Sequence, residues 1–218
     1  TYPELVVYSG GVPVFIETDE STEFKITAKQ LKDKITPKTK ILMLNSPSNP
    51  TGSIYSKDEL LAIGEVLKGT DIIVLSDEMY EKLIYKGKKF TATAEVSPDM
   101  YNRTVTINGL SKSVAMTGWR FGYVACPNSA LAKAMSKLQG QVTSNVNSMT
   151  QYAAIVALEG EANKDIEMMR VEFEKRKDYA VKAINNISKL SCYDPDGAFY
   201  LFINIKKYSN DSMKFCAD

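Results

Sequence analysis

Short apolar runs alternate along this chain with segments of helical period, and turn-forming residues separate the two. Residues 12–16 follow the pair Gly10-Gly11 and read as a strand, and 27–34 read as a short helix capped by Thr27. A second apolar run, 40–44, ends in the loop 45–52. A helix is expected from Lys57 to about Lys68, with Ser56 and Glu59 at capping-box spacing. The run 72–75 is apolar at every position, as befits a central parallel strand covered on both faces. Residues 104–107 and 121–125 predict two further strands, which bracket Ser111 and Lys112. Helical periods follow over about 129–139, 148–158 and 165–187, then a strand over 197–203 and an opening helical turn at 211–215. Strands alternating with helices predict an α/β domain with a largely parallel sheet, in which ligands bind beyond the carboxyl ends of the strands. Three polar loops fall there: 45–52, the stretch from Ser76 to Tyr80, and the one holding Ser111 and Lys112.

Composition narrows the function classes. With 218 residues and 44% hydrophobic content, the chain can bury a sizeable core and is too apolar to be disordered. Its 27 basic and 26 acidic side chains leave a formal net charge of +1, so no global field draws it to nucleic acid or to an acidic membrane surface. Lys86, Lys88 and Lys89 make one compact basic run, read as a hairpin or surface loop. Cys126, Cys192 and Cys216 are odd in number and widely spaced, which predicts a reducing compartment, by default the cytoplasm, and no metal site. No apolar stretch approaches the roughly 20 residues needed to cross a bilayer, and no signal-peptide pattern opens the chain. There is no histidine, so proton transfer near neutral pH falls to a tuned Lys, carboxylate, Tyr or Cys.

The candidate chemistry centres on Lys112. A strand that delivers Ser111, Lys112 and, eight positions on, Arg120 offers a hydroxyl, an amine and a guanidinium to one small anion. Pyridoxal 5'-phosphate (PLP) needs that set, since the amine forms an imine with its aldehyde while hydroxyl and guanidinium hold its phosphate. The alternative is a solvated loop. Asp77, at the mouth of the sheet, suits a protonated pyridine nitrogen or else a simple turn. Tyr80, three positions on, would reach the cofactor's ring oxygen or else pack at a strand end. Two prolines and a glycine stiffen the loop 45–52, which presents the Asn49 amide to the same oxygen or serves only as a rigid connection.

The order of these segments resembles the class I aminotransferases, PLP enzymes of the aspartate aminotransferase fold. The likeness runs through Ser46 to Gly52, Ser76 to Tyr80, Ser111-Lys112, Met116 to Tyr123 and Gly197 to Tyr200, and most resembles the bacterial aspartate aminotransferase branch. It implies that Lys112 bonds the cofactor aldehyde, Asp77 pairs with the pyridine nitrogen, Tyr80 and Asn49 bond the ring oxygen, and Ser111 and Arg120 bind the phosphate. The implied reaction is ping-pong transfer of an amino group from an amino acid, aspartate by the likeness, to a 2-oxo acid such as 2-oxoglutarate. Aromatic, alanine or prephenate transamination, or carbon-sulfur lysis on the same fold, are alternatives. So is a non-catalytic effector domain of a transcription regulator. The resemblance also implies a homodimer, with residues 141–148 near the partner. It implies a large domain over 1–187 and the start of a smaller one over 188–218. On the same likeness an upstream glycine-rich segment and a downstream arginine for the substrate carboxylate lie outside this chain, which begins at Thr1 without a Met.

Overall fold

A sheet of four strands brings the polar loops to one edge. The computed structural model describes residues 2–217. After α1 (Tyr2–Tyr8) and α2 (Ala28–Lys34), strand β1 (Ile41–Asn45) leads through α3 (Lys57–Leu67) to β2 (Ile73–Asp77). Then come α4 (Pro98–Arg103), β3 (Thr104–Gly109), the one-turn helix α5 (Leu110–Ser113) and β4 (Gly122–Ala125). Helices α6 (Ser129–Val142), α7 (Ser148–Leu158) and α8 (Asn163–Asn185) precede the short pair β5 (Ser191–Cys192) and β6 (Ile203–Asn204), and α9 (Ser212–Ala217) follows. The strand order is β1-β2-β3-β4, parallel except for β4, which runs antiparallel to β3.

Local sequence fixes the helix starts. Thr27 and Gln30 close a reciprocal capping box on α2, and Ser56 and Glu59 do the same on α3, satisfying amides that have no partner inside the helix. Pro98 sits in the first turn of α4, where its missing N–H costs nothing. Alternation along the strands then decides which face is buried. Leu42, Leu44 and Val74 point into a core with Leu31, Leu60, Ile63, Leu67 and Met100. Each such side chain removed from water contributes about 1.5–3 kcal/mol. A second cluster joins Tyr80, Leu83 and Ala198 to Met169 and Phe173 of α8.

Three expectations need correction. Residues 12–16 form no strand: no neighbouring strand pairs with them, and Val12, Val14 and Phe15 are exposed. Apolar alternation specifies a strand only where a partner's backbone groups are in reach. Residues 197–203 are not one strand either. Gly197 bridges to Ile84, Ala198 takes a left-handed φ of 59° that ends the extended run, and only Ile203–Asn204 pairs, with Ser191–Cys192. The run 72–75 is fully buried on one face only, with Val74 inside and Leu75 half-buried. Among the described residues no helix is long and apolar enough to cross a membrane.

Candidate active site

Register sets the strand ends level. Asn45 lies opposite Asp77, so the loops after β1 and β2 leave the sheet at one height, and β3, level with them at Ile107, runs on to Gly109. Each is then tied to its neighbour. Asn45 Nδ2 donates to the Asp77 carbonyl (3.1 Å), the Ser46 amide donates to the same oxygen (3.0 Å), and the Glu78 amide donates to the Ile107 carbonyl (2.9 Å). The Asn49 amide N–H in turn donates to Asn45 Oδ1 (2.7 Å), which fixes the loop that carries Asn49.

Around this rim stand most of the residues singled out from the sequence. The Asp77 carboxylate accepts from the Met79 amide (3.2 Å) and from the phenol of Tyr2. Burial, then the Asp77 carboxylate itself, pushes the Tyr2 phenol well above its ordinary range, so it stays a neutral donor. Lys112 lies on the helical turn α5 and not in an open loop. Its Nζ lies 5.4 Å from the centre of the Phe199 ring and 6.0 Å from that of Tyr80, within reach of cation–π attraction. Tyr80 is buried, and its hydroxyl meets that of Tyr200 at 2.5 Å. Burial first, and the Tyr200 phenol next, drive the Tyr80 phenol upward in pKa. Asn49 Nδ2 donates to the same Tyr200 oxygen at 3.4 Å.

Ser111 and Arg120 are linked through Thr117. Thr117 Oγ1 donates to the Ser111 carbonyl (2.8 Å), and an Arg120 N–H donates to the Thr117 carbonyl (3.0 Å), so the three form one short chain of bonds. Arg120 adopts a left-handed φ of 55° and, with Trp119, Gln139, Asn147 and Thr150, lines an open groove of about 810 Å³. Trp119 is half exposed there, and its carbonyl accepts from Thr150 Oγ1 (3.3 Å).

A sequence model for aminotransferases of class I and II matches residues 1–217. The chain belongs to the class I and II aminotransferase family. Aspartate aminotransferase of Geobacillus stearothermophilus is 49% identical over 207 residues, 95% of this chain and 52% of that protein. The aspartate/prephenate aminotransferase of Nitrosomonas europaea is 43% identical over 208 residues, again 52% of its length. Among solved structures, an aromatic aminotransferase from Pyrococcus horikoshii superposes with a TM-score of 0.93 at 39% identity, covering 98% of this chain and 57% of that one. The aspartate aminotransferase from Rhizobium meliloti gives 0.89 at 41% identity, covering 94% and 51%. The chain therefore spans about half the length of the relatives it matches.

The side chains present fit the cofactor of aminotransferases. The donor set comprises an amine over aromatic faces, a carboxylate at a strand end, a phenol and an amide that share one neighbour, and a guanidinium on the groove. That is the complement of an aldehyde, a ring nitrogen, a ring oxygen and a phosphate. Sequence reasoning missed Tyr2, whose contact with Asp77 spans 75 positions without any periodic signal. It noted the string Gly197 to Tyr200 but gave Phe199 and Tyr200 no role. Glu78 was missed as well. Its side chain is buried, accepting from Ser76 Oγ (2.8 Å) and the Thr93 amide (3.0 Å).

Proposed function

We propose that this chain is the cofactor-bearing part of a PLP-dependent aminotransferase that takes the amino group of an amino acid, aspartate first among candidates, to a 2-oxo acid such as 2-oxoglutarate. Support comes above all from Lys112, whose Nζ lies against the Tyr80 and Phe199 rings at the level where the β1 and β2 loops deliver Asn49 and Asp77. Names of the relatives from Geobacillus stearothermophilus and Bacillus subtilis, both aspartate aminotransferases, support the substrate class. When bound, PLP supplies an electron sink for the carbanion left at the substrate α-carbon.

The chain's residues divide the remaining work. Lys112 Nζ is the attachment point and, once free, the base that takes the α-proton, a role that requires it to be neutral. Asp77 holds a proton on the ring nitrogen by charge. Tyr80 and Asn49 would donate to the ring oxygen, and Ser111 and Arg120 would hold the phosphate, a hydroxyl donor beside a fixed positive charge. Residues 1–187 constitute the cofactor-binding unit and 188–218 open a second one. The whole enzyme works as a cytoplasmic homodimer by a ping-pong scheme.

Reduction with borohydride after addition of PLP, followed by mass mapping, tests the site. An adduct on the peptide holding Lys112, lost in Lys112→Arg, is expected. An adduct spread over surface lysines would refute it. Parallel double-reciprocal lines with aspartate and 2-oxoglutarate on the whole protein test the scheme and the substrate pair.

A further inference from the structure

Resting on the cofactor site proposed above, we infer that Tyr200 is a positioning residue that turns the Tyr80 hydroxyl and the Asn49 amide toward the cofactor's ring oxygen. Tyr200 Oη touches both groups, at 2.5 Å from Tyr80 Oη and 3.4 Å from Asn49 Nδ2. A phenol has one proton to give and two lone-pair directions to receive. Either phenol of the pair can be the donor; with Tyr200 donating to Tyr80, the Tyr200 oxygen keeps its lone pairs for Asn49 Nδ2. The Tyr80 proton is then free to leave the pair, and the second N–H of Asn49 is free as well. Both remaining donors serve a third oxygen, and that of Tyr80 is strengthened because its own oxygen already accepts from Tyr200.

The fold holds Tyr200 firmly enough for this. The Ala198 amide donates to the Leu83 carbonyl (3.0 Å), and the Gly197 amide donates to the Gly52 carbonyl (2.9 Å). The Ala198 carbonyl accepts from the phenol of Tyr85, and Ala198 is fully buried. Beyond that anchor the Tyr200 ring packs edge-on against Tyr80, centroids 5.6 Å apart, and leans on Phe199 at 4.9 Å. The loop that carries Asn49 closes on the same strip of chain through Gly52, so one segment aligns two donors from different strand ends.

The test is Tyr200→Phe in the cofactor-loaded protein, read from the pH dependence of the visible absorbance of the Lys112–cofactor adduct. Donors to the ring oxygen stabilise its negative charge and loosen the proton that it shares with Lys112 Nζ, so weakening them raises the midpoint of that titration. A neutral hydrogen bond of ordinary strength corresponds to a rise of about half a unit to one unit. Phe keeps both ring contacts, so the variant folds. In a Tyr80→Phe background the same substitution must shift the midpoint less, because only the path through Asn49 remains. An unchanged or lowered midpoint, or an equal shift with and without Tyr80, overturns the role of Tyr200 while leaving the cofactor site intact. If the unsubstituted protein forms no adduct on Lys112, the cofactor site and this role fall together.

Discussion

Replacing Gly52 by Ala is expected to be the most damaging single-methyl change in the chain. Gly52 has a φ of 72°, and an added Cβ would lie 2.3 Å from Pro195 Cβ and 2.7 Å from the Gly197 carbonyl oxygen. The left-handed backbone alone costs a non-glycine residue about 1–2 kcal/mol. Restriction of the unfolded chain returns about 0.4–1 kcal/mol. Overpacking against a rigid neighbour adds about 1–3 kcal/mol, and the upper end applies because neither a proline ring nor a backbone carbonyl can swing aside. The net is about 3 kcal/mol, which for a chain of this size lowers the thermal midpoint by roughly 6–12 °C. Any shift that relieves the overlap also parts the Gly52 carbonyl from the Asp196 (3.0 Å) and Gly197 (2.9 Å) amides. Gly69→Ala is the matched control: its φ is 74° and a Cβ there meets nothing within 4 Å. It should cost only about 1 kcal/mol, the backbone part of the sum. Urea or thermal unfolding of both variants beside the parent decides the matter. If Gly52→Ala falls within about 1 kcal/mol of Gly69→Ala, the close approach of the 45–52 loop to Pro195 and Gly197 is wrong.

Asp196 is buried between Lys86 Nζ (3.0 Å), Lys88 and the Tyr193 hydroxyl (3.2 Å). Burial alone would raise its pKa, but the two ammonium groups outweigh it and hold the carboxyl below its ordinary value of 3.8. Its contribution to stability is therefore complete above about pH 4 and lost as pH falls through the lowered value. Asp196→Asn should cost about 1–3 kcal/mol at pH 7, and its urea midpoint should converge on the parent's in strong acid. Glu78 has the opposite sign. Burial raises its pKa above 4.5 despite bonds from Thr93 and Ser76, so the folded state holds the proton more tightly than the unfolded one. Stability then falls as pH climbs from about 4.5 through the raised value, and Glu78→Gln should flatten that slope in thermal melts between pH 4 and 8. An unchanged slope would place the Glu78 carboxylate in water.

Much of the scaffold was legible in the sequence. Apolar runs placed β1, β2 and β3 within a residue or two, and Thr27 and Ser56 marked their helix starts, because strand burial and helix capping are decided by neighbours in the chain. Asp77 and Lys112 stood out as polar residues soon after such runs, and Asn49 through the prolines and glycine of its loop. What the chain pattern could not supply was the company those residues keep. Tyr2 against Asp77, Tyr200 against Tyr80 and Asn49, and Gly52 against Pro195 join positions 75 to 151 residues apart, and pairs at that separation leave no periodic trace. The strands expected at 12–16 and 197–203 failed on the same ground. Whether an extended apolar segment pairs depends on a partner strand, and whether Ala198 adopts a left-handed φ depends on the carbonyls of Gly52 and Leu83 that its segment must reach. Local energetics chose the elements and their polar ends; only the packing of distant segments decided which side chains share the site.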